Sequence, residues 1–248
     1  MDGIERARDL VAAAARITVL TGAGISTDSG IPDFRGPNGL WTKDPKAERT
    51  SNIEYYVRDP DVRRLAWQGR LRWVEQPREP NPGHTAVVAL DRRGALLALV
   101  TQNIDGLHQA AGLDRAKVVE IHGTMREVIC LDCGVRTPAD PTLDRVRAGE
   151  DDPACLDCGG MLKSATISFG QSLVPEDLDR AFAAAAACDL LLAVGSTLSV
   201  YPVAAMVPTA RQAGARIVIL NAEPTDMDDL ADVVVRGSIS ELLPQIVG

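Results

Sequence analysis

The segment Leu190–Val194, with the sequence LLLAV, is the clearest guide to the fold. It follows residues 175–188, an alanine-rich segment that begins with a proline and two acidic residues, a pattern typical of a helix start. Residues 203–213 have helical spacing, and the apolar runs 216–220 and 233–235 come after them. Apolar strands without alternation, separated by helices, are typical of a parallel sheet that is covered on both faces. We therefore predict an α/β protein with a Rossmann-like, doubly wound parallel sheet.

The first half of the chain repeats this alternation with two interruptions. Residues 17–20, 95–100 and 117–121 are predicted strands. Residues 36–82 are rich in charge, proline and tryptophan, which favours helices and loops over the sheet. Residues 126–163 contain four cysteines and no long apolar run, so this segment needs something other than a hydrophobic core to fold. We predict that residues 1–125 and 164–248 form the sheet domain and that 126–163 form a small inserted domain.

Composition excludes several classes of function. The 248 residues carry a net charge of −8, and aromatic residues make up 4% of the chain. A negative surface with few aromatic side chains disfavours binding to nucleic acid or to an anionic membrane. The charged first residues lack the apolar core of a secretory signal, and paired cysteines are typical of a reducing compartment. We expect a cytoplasmic protein.

A glycine-containing loop follows the first predicted strand. Residues 21–27 read TGAGIST, and such glycines let a backbone turn sharply and approach a diphosphate. Thr27 stands where the dinucleotide-binding fingerprint has its third glycine. The motif alone therefore fits either a nucleotide-binding loop or a tight structural turn.

The cysteines form a more specific pattern. Cys130 and Cys133 make one Cys-x-x-Cys knuckle and Cys155 and Cys158 make a second, with 21 residues between them. Two such knuckles can place four thiolates around one tetrahedral Zn²⁺, whereas redox pairs or buried free thiols are the alternative. Because protein ligands would fill all four positions, this zinc would be structural.

Two polar segments follow predicted strands. Residues 101–108 read TQNIDGLH and residues 120–123 read EIHG. Polar side chains at the carboxyl ends of parallel strands lie where α/β sheets bind ligands. His122 can exchange a proton near neutral pH, although a structural histidine and a merely polar capped loop remain the alternatives.

Together these segments resemble the sirtuin family, of bacterial type, over about residues 12–245. The resemblance rests on residues 22–26 (GAGIS), 30–36 (GIPDFRG), 102–105 (QNID), 122–123 (HG), 195–200 (GSTLSV), 221–224 (NAEP) and the four cysteines. Sirtuins are NAD-dependent protein-lysine deacylases. The resemblance implies a deacetylase that transfers the acyl group from lysine to ADP-ribose and releases nicotinamide, with NAD and one structural Zn²⁺ per chain.

The resemblance also assigns roles to individual residues. It implies that His122 acts as the catalytic base and that Asn103 holds the nicotinamide ribose and a water, while Phe169 and Gly170 bind an acyl-lysine peptide. It places the following residues against NAD: Gly22, Ala23, Gly24, Ser26, Asp33, Phe34, Arg35, Gln102, Asn103, Ile104, Asp105, Gly195, Ser196, Thr197, Asn221, Ala222, Glu223 and Ile239.

The chain departs from the family on the side that would face the peptide. Gln171 replaces a common glutamate, and residues 164–167 lack a common proline. Sirtuins that prefer acidic acyl groups carry Tyr-x-x-Arg, whereas here Arg70 is retained and Trp67 stands in place of the tyrosine. We expect a neutral acyl group, acetyl by default. The alternatives are an NAD glycohydrolase or ADP-ribosyltransferase on the same scaffold and a non-enzymatic zinc-ribbon binding module.

Overall fold

The computed structural model describes residues 3–33, Gly39 and residues 49–248. Within this part of the chain the strands are β1 (Ile17–Thr21), β2 (Leu96–Thr101), β3 (Val118–Glu120), β4 (Gly123–Cys130), β5 (Arg136–Pro138), β6 (Leu162–Thr166), β7 (Leu190–Val194), β8 (Arg216–Leu220) and β9 (Val233–Val235).

The α-helices of the same residues are α1 (Gly3–Ala13), α2 (Ile53–Arg58), α3 (Pro60–Val74), α4 (Pro82–Arg92), α5 (Leu107–Ala110), α6 (Ala139–Arg147), α7 (Pro175–Ala187), α8 (Met206–Gln212) and α9 (Ile239–Val247). Short 3-10 helices cover Ala23–Ser29, Arg115–Lys117, Val203–Ala205 and Asp228–Leu230. None of the described helices is long and apolar enough to cross a membrane.

Six strands form one parallel sheet in the order β3-β2-β1-β7-β8-β9. Every residue of β1 and β7 is buried, because helices cover both faces of the sheet. One core cluster joins α1, α4 and α9 to the sheet, and a second joins α7 and α8 to the opposite face. The predicted doubly wound α/β fold is confirmed.

The strand order places a switch point between β1 and β7. The chain continues from β1 toward β2 on one side, and from β7 toward β8 on the other. Connections that leave in opposite directions open a crevice beyond the carboxyl ends of two neighbouring strands, and ligands of open α/β sheets bind there. The fold therefore directs attention to the loops that follow β1 and β7.

A second, antiparallel sheet has the order β5-β4-β6. Its core packs Val128 and Leu162 against Leu143 of α6 and against Trp67 of α3, which is 1% exposed. Sequence patterns did not predict α6, a nine-residue helix with a narrow apolar side. The region 36–82 thus supplies, through α3, part of the core of the smaller sheet.

Candidate functional site

Two glycine loops meet at the switch point. A Cβ atom on Gly22 would lie 2.7 Å from the main-chain oxygen of Gly195, and one on Gly24 would lie 2.8 Å from the Gly195 Cα. Gly195 itself has φ +65°, a backbone conformation that favours glycine. The Gly24 N–H donates to the Gly195 carbonyl over 2.9 Å. Only residues without side chains allow this contact between the β1 and β7 loops.

Ser26 lies at the centre of a buried polar network. Its hydroxyl donates to the Asp105 carboxylate over 2.8 Å and accepts from the Asn103 side-chain amide over 3.1 Å. The same Asn103 amide donates to the Gly22 carbonyl over 3.1 Å. The structure thus brings together residues of two sequence motifs that lie about 80 positions apart.

Two histidines that sequence reasoning did not select extend this network. His84 and His108 are 0% and 1% exposed, and their ring centroids are 4.9 Å apart. The Asn81 N–H donates to Nδ1 of His84, so the neutral ring carries its proton on Nε2 and donates to Ser26 over 3.4 Å. Asn81 caps α4, and this Asn-Pro-Gly-His helix start was the available sequence signal.

Burial sets the charge state of this histidine pair. Loss of solvent lowers the pKa of His84 to about 4, against a smaller opposing effect from Asp105. Burial also holds the pKa of His108 well below its usual value, and the neighbouring His84 lowers it further. Both rings are therefore neutral at pH 7.

His122 follows β3 and precedes β4. Its Nδ1 lies 3.1 Å from the main-chain oxygen of Gln102, which accepts the hydrogen bond. Burial lowers the pKa of His122, and the hydrogen bond to Gln102 opposes this shift. A neutral imidazole that donates from Nδ1 has its acceptor at Nε2, so His122 can act as a base.

The β7 loop joins the same site through Ser196. The Gln102 side-chain amide donates to the Ser196 hydroxyl over 2.9 Å, and Thr197 and Ser199 share a hydrogen bond of 2.8 Å. The predicted residue Ile239 also lies here, since its Cδ1 would be 2.9 Å from a Cβ on Gly195.

The other predicted site residues are placed as follows. Asn221 is buried at the end of β8 and donates to the Glu223 carbonyl over 2.8 Å, whereas Ala222 and Glu223 are exposed. Ala23, Asp33, Ile104 and Asp105 are half-buried. Phe34 and Arg35 lie outside the described residues.

A surface loop contains the predicted peptide-binding residues. The Phe169 N–H donates to the Ser51 carbonyl over 2.8 Å, and its carbonyl accepts from the Ile53 N–H over 3.0 Å. The Phe169 residue is nevertheless 45% exposed, and Gly170 has φ +87°. This loop follows Ile167, whose N–H donates to the His122 carbonyl over 2.8 Å, so the loop is linked directly to His122.

The four cysteine sulfurs lie together at one end of the smaller sheet. All four Sγ atoms lie within 4.8 Å of one another, with Cys130 and Cys158 at 3.6 Å and Cys133 and Cys155 at 3.9 Å. Four thiolates at the usual Zn–S distance of about 2.3 Å would be about 3.8 Å apart at the corners of a tetrahedron. The donor set and its spacing fit one Zn²⁺.

Comparison with known proteins identifies the family to which this arrangement of residues belongs. Residues 22–202, more than half of the chain, match the Sir2 family. The chain belongs to the Sir2 family. The matched region of this Sir2 family protein includes both glycine loops, His122 and all four cysteines. The residues placed at the end of β8 and on α9 lie beyond it.

Relatives of similar length support the assignment to the Sir2 family. The chain is 51% identical over 231 residues to "NAD-dependent protein deacetylase 2" of Streptomyces coelicolor, covering 93% of this chain and 96% of the relative. It is 42% identical over 248 residues to "NAD-dependent protein deacetylase 1" of Bradyrhizobium diazoefficiens, covering 99% and 96%.

Two solved Sir2 structures resemble the fold along its whole length. One, described as "Structural Basis for the Mechanism and Regulation of Sir2 Enzymes", has a TM-score of 0.89 at 40% identity and covers 99% of this chain and 96% of its own. The other, a Sir2 variant with deacetylated p53 peptide and 3'-O-acetyl ADP-ribose, has a TM-score of 0.87 at 31% identity, with 98% and 96% covered.

Proposed function

We propose that this Sir2 family protein is an NAD-dependent protein-lysine deacetylase that transfers the acyl group from lysine to ADP-ribose and releases nicotinamide. The observation that carries the proposal is the neutral His122 imidazole, fixed through Nδ1 on Gln102 at the edge of the switch-point crevice. Sir2 relatives at 51% and 42% identity bear the name NAD-dependent protein deacetylase, which supports the same reaction.

The residues of the crevice fit a dinucleotide. Glycines at 22, 24 and 195 let the β1 and β7 loops approach each other closely at the switch point, which brings their main chains to the place where a diphosphate would bind. We place NAD against Gly22, Ala23, Gly24, Ser26, Asp33, Gln102, Asn103, Ile104, Asp105, Gly195, Ser196, Thr197, Asn221, Ala222, Glu223 and Ile239, and we extend this proposal to Phe34 and Arg35.

His122 would provide the base of the reaction. NAD, when bound, would supply a glycosidic bond with nicotinamide as its leaving group and the ribose carbon as the acceptor of the acyl oxygen. His122 accepts a ribose hydroxyl proton at Nε2 while Nδ1 stays bound to Gln102. Asn103 is 8% exposed and anchored to Gly22 and Ser26, so it can orient a ribose hydroxyl and a water without moving itself.

An acylated peptide would bind along the loop at Phe169 and Gly170. The main-chain N–H and carbonyl of Phe169 are bound to Ser51 and Ile53, which holds this loop in an extended pairing and leaves the half-exposed Phe169 side chain facing outward to a peptide. An extended peptide added to this loop would place its acyl-lysine toward His122, because Ile167 joins the loop to the histidine. Acyl-lysine proteins or peptides are therefore the proposed partners.

The metal would stabilise only the smaller lobe, by which we mean the inserted residues 126–163 and their antiparallel sheet. With four cysteines as ligands, no position remains for water or substrate, so Zn²⁺ would contribute folding free energy to residues 126–163 and take no part in acyl transfer. We propose residues 1–125 and 164–248 as the NAD-binding domain, with 36–82 as an excursion over the cleft whose helix α3 also contributes Trp67 to the core of the smaller sheet. Four reduced thiols also favour the cytoplasm.

The deciding experiment follows the fate of the acyl group. Purified protein is incubated with NAD and an acetyl-lysine peptide, and the products are separated by mass spectrometry. Equal amounts of free lysine peptide, nicotinamide and O-acetyl-ADP-ribose are expected. Consumption of NAD without the acetylated product would instead identify an NAD glycohydrolase or an ADP-ribosyltransferase.

A further inference from the structure

The Arg126 side chain lies where three segments around His122 meet. A Cβ on Gly106, in the loop that begins with Gln102, would lie 3.3 Å from both Cδ and Nε of Arg126. The Nε atom of Arg126 lies 3.3 Å from the Thr124 hydroxyl, to which it donates. Its Nη2 donates to the Glu120 carboxylate over 3.0 Å. One guanidinium therefore binds the end of β3 and the start of β4, and it lies where a side chain on Gly106 of the β2 loop would stand.

The residues that Arg126 binds lie on both sides of the histidine in sequence. Glu120 lies two residues before His122 and Thr124 two residues after it. The β2 loop contains Gln102, whose carbonyl accepts the His122 hydrogen bond. The imidazole can keep this 3.1 Å contact only while the His122 turn and the β2 loop hold their relative position.

We propose that Arg126 is a positioning residue for the reaction, which fixes the His122 imidazole against the Gln102 carbonyl by clamping Glu120 and Thr124 beside Gly106 of the β2 loop. This inference rests on the proposed function, in which His122 is the base. Arg126 itself would touch neither substrate nor cofactor. Its effect would be on the geometry of proton transfer, where displacements of about 1 Å cost about a hundredfold in rate.

The ion pair between Arg126 and Glu120 is largely buried. The side chains of Arg126 and Glu120 are 33% and 19% exposed, and Oε1 of Glu120 is buried with no hydrogen-bond partner among the described residues. Loss of Arg126 would leave a largely buried carboxylate without its cation, next to the histidine turn. That carboxylate would then move toward solvent and displace the turn.

A second arginine on the same sheet provides a matched control. Arg136 of β5 donates from Nε to Glu127 of β4 over 3.0 Å, and both side chains are close to half exposed. This pair is the same in chemistry, and within the part of the chain that the structure describes Arg136 forms no hydrogen bond or ion pair with the β2 loop or the end of β3. A general loss of sheet stability would affect both pairs, whereas a positioning role is specific to Arg126.

The kinetic test compares Arg126→Met, Glu120→Gln, the double variant and Arg136→Met. For Arg126→Met we expect kcat to fall about tenfold while KM for the peptide changes less than about twofold. The double variant should lose no more than the larger single loss, because both changes break one interaction. Arg136→Met should keep its kcat. If Arg126→Met does not fold, Arg126→Lys takes its place and should show a smaller fall in kcat.

A second readout needs no activity. In protein labelled with ¹⁵N-histidine, the Nδ1–H of His122 should exchange with solvent at least about tenfold faster in Arg126→Met or Arg126→Lys than in the unsubstituted protein or in Arg136→Met. An unchanged exchange rate, an unchanged kcat, or an equal loss in Arg136→Met would overturn the positioning role. An unsubstituted protein without deacetylase activity would refute the proposed function instead, and the exchange measurement would still test the clamp.

Discussion

The Nδ1 atom of His122 lies 3.1 Å from the main-chain oxygen of Gln102. A main-chain carbonyl cannot donate a proton, so this contact assigns the ring proton to Nδ1 and the lone pair to Nε2. The same Gln102 donates from its side chain to Ser196 on the β7 loop. A single residue therefore connects the proposed base to the loop on the other side of the crevice.

Replacement of His122 by alanine should abolish deacetylation without unfolding the protein. Loss of a general base typically lowers kcat by about 10²–10⁴-fold. The measurement is the initial rate of O-acetyl-ADP-ribose formation, with circular dichroism as the control for folding. A folded His122→Ala variant with normal turnover would remove His122 from the role of base.

Exchange of Gly24 for alanine should weaken NAD binding. The new Cβ would lie 2.8 Å from the Gly195 Cα, so the β1 and β7 loops must separate. We expect at least about tenfold weaker NAD binding by calorimetry and a destabilisation of about 1–3 kcal/mol. Gly69→Ala in α3 is the control, because its Cβ would meet nothing closer than 4.0 Å and alanine favours a helix. Equal behaviour of the two variants would contradict this role of Gly24.

Removal of zinc should unfold the smaller lobe. Cys130→Ser removes one of four ligands, and Trp67 packs in the same cluster as Cys130 and Cys155. We expect loss of bound zinc and a red shift of tryptophan emission as Trp67 becomes exposed. Cys188→Ser is the control, because this buried thiol lies outside the sulfur cluster. A zinc-free protein with an unchanged Tm would show that the metal is not structural.

Stability should fall as the pH drops from 7 to 5. The folded pKa of His84 is lowered to about 4, so the unfolded chain, with a pKa near 6.5, binds the proton more readily. The stabilising effect of neutral His84 is thus complete above about pH 6.5 and is lost progressively toward pH 4. The Tm of His84→Asn should depend less on pH over this range. If Tm changes with pH equally in the unsubstituted protein and in His84→Asn, the loss of stability comes from other groups.

The acyl preference should be for acetyl over succinyl. Arg70 donates from Nε to the Ser164 hydroxyl over 2.8 Å and also contacts Met125, whereas Trp67 points into the small-lobe core. Trp67, and not a tyrosine, stands three residues before Arg70, and the nearby Tyr56 hydroxyl donates to the Leu162 carbonyl. Turnover of matched acetyl- and succinyl-lysine peptides measures this preference. Faster turnover of the succinyl peptide would show that Arg70 binds that carboxylate.

Sequence patterns predicted the sheet well because its strands are buried on both faces. The segments 190–194, 216–220 and 233–235 coincide with β7, β8 and β9, since continuous apolar runs of this length have few other ways to be buried. The predicted helix over 203–213 instead begins as a 3-10 turn, Val203–Ala205, and continues as α8.

Sequence patterns predicted less of the structure where residues that are far apart in the chain come together. His84 and His108 lie far from Ser26 in the chain, and only the packing of α4 and α5 beside the β1 loop brings them together. The helix α6 buries residues 139, 142, 143 and 146 at helical spacing, but only Leu143 and Val146 are large and apolar, and a proline lies in its first turn, so the pattern was weak. Such arrangements depend on tertiary contacts that local patterns do not encode.

The short connection between the two sheets has a consequence for motion. Only Ile121 and His122 separate the last residue of β3 from Gly123, the first residue of β4, and Gly123 pairs with Thr166 of β6. If the domain of the parallel sheet and the smaller antiparallel sheet rotate relative to each other to admit or release ligands, this dipeptide lies close to the axis of rotation, the pivot. The cysteine cluster, at the far end of β4, would then move much farther than the His122 side chain beside the pivot.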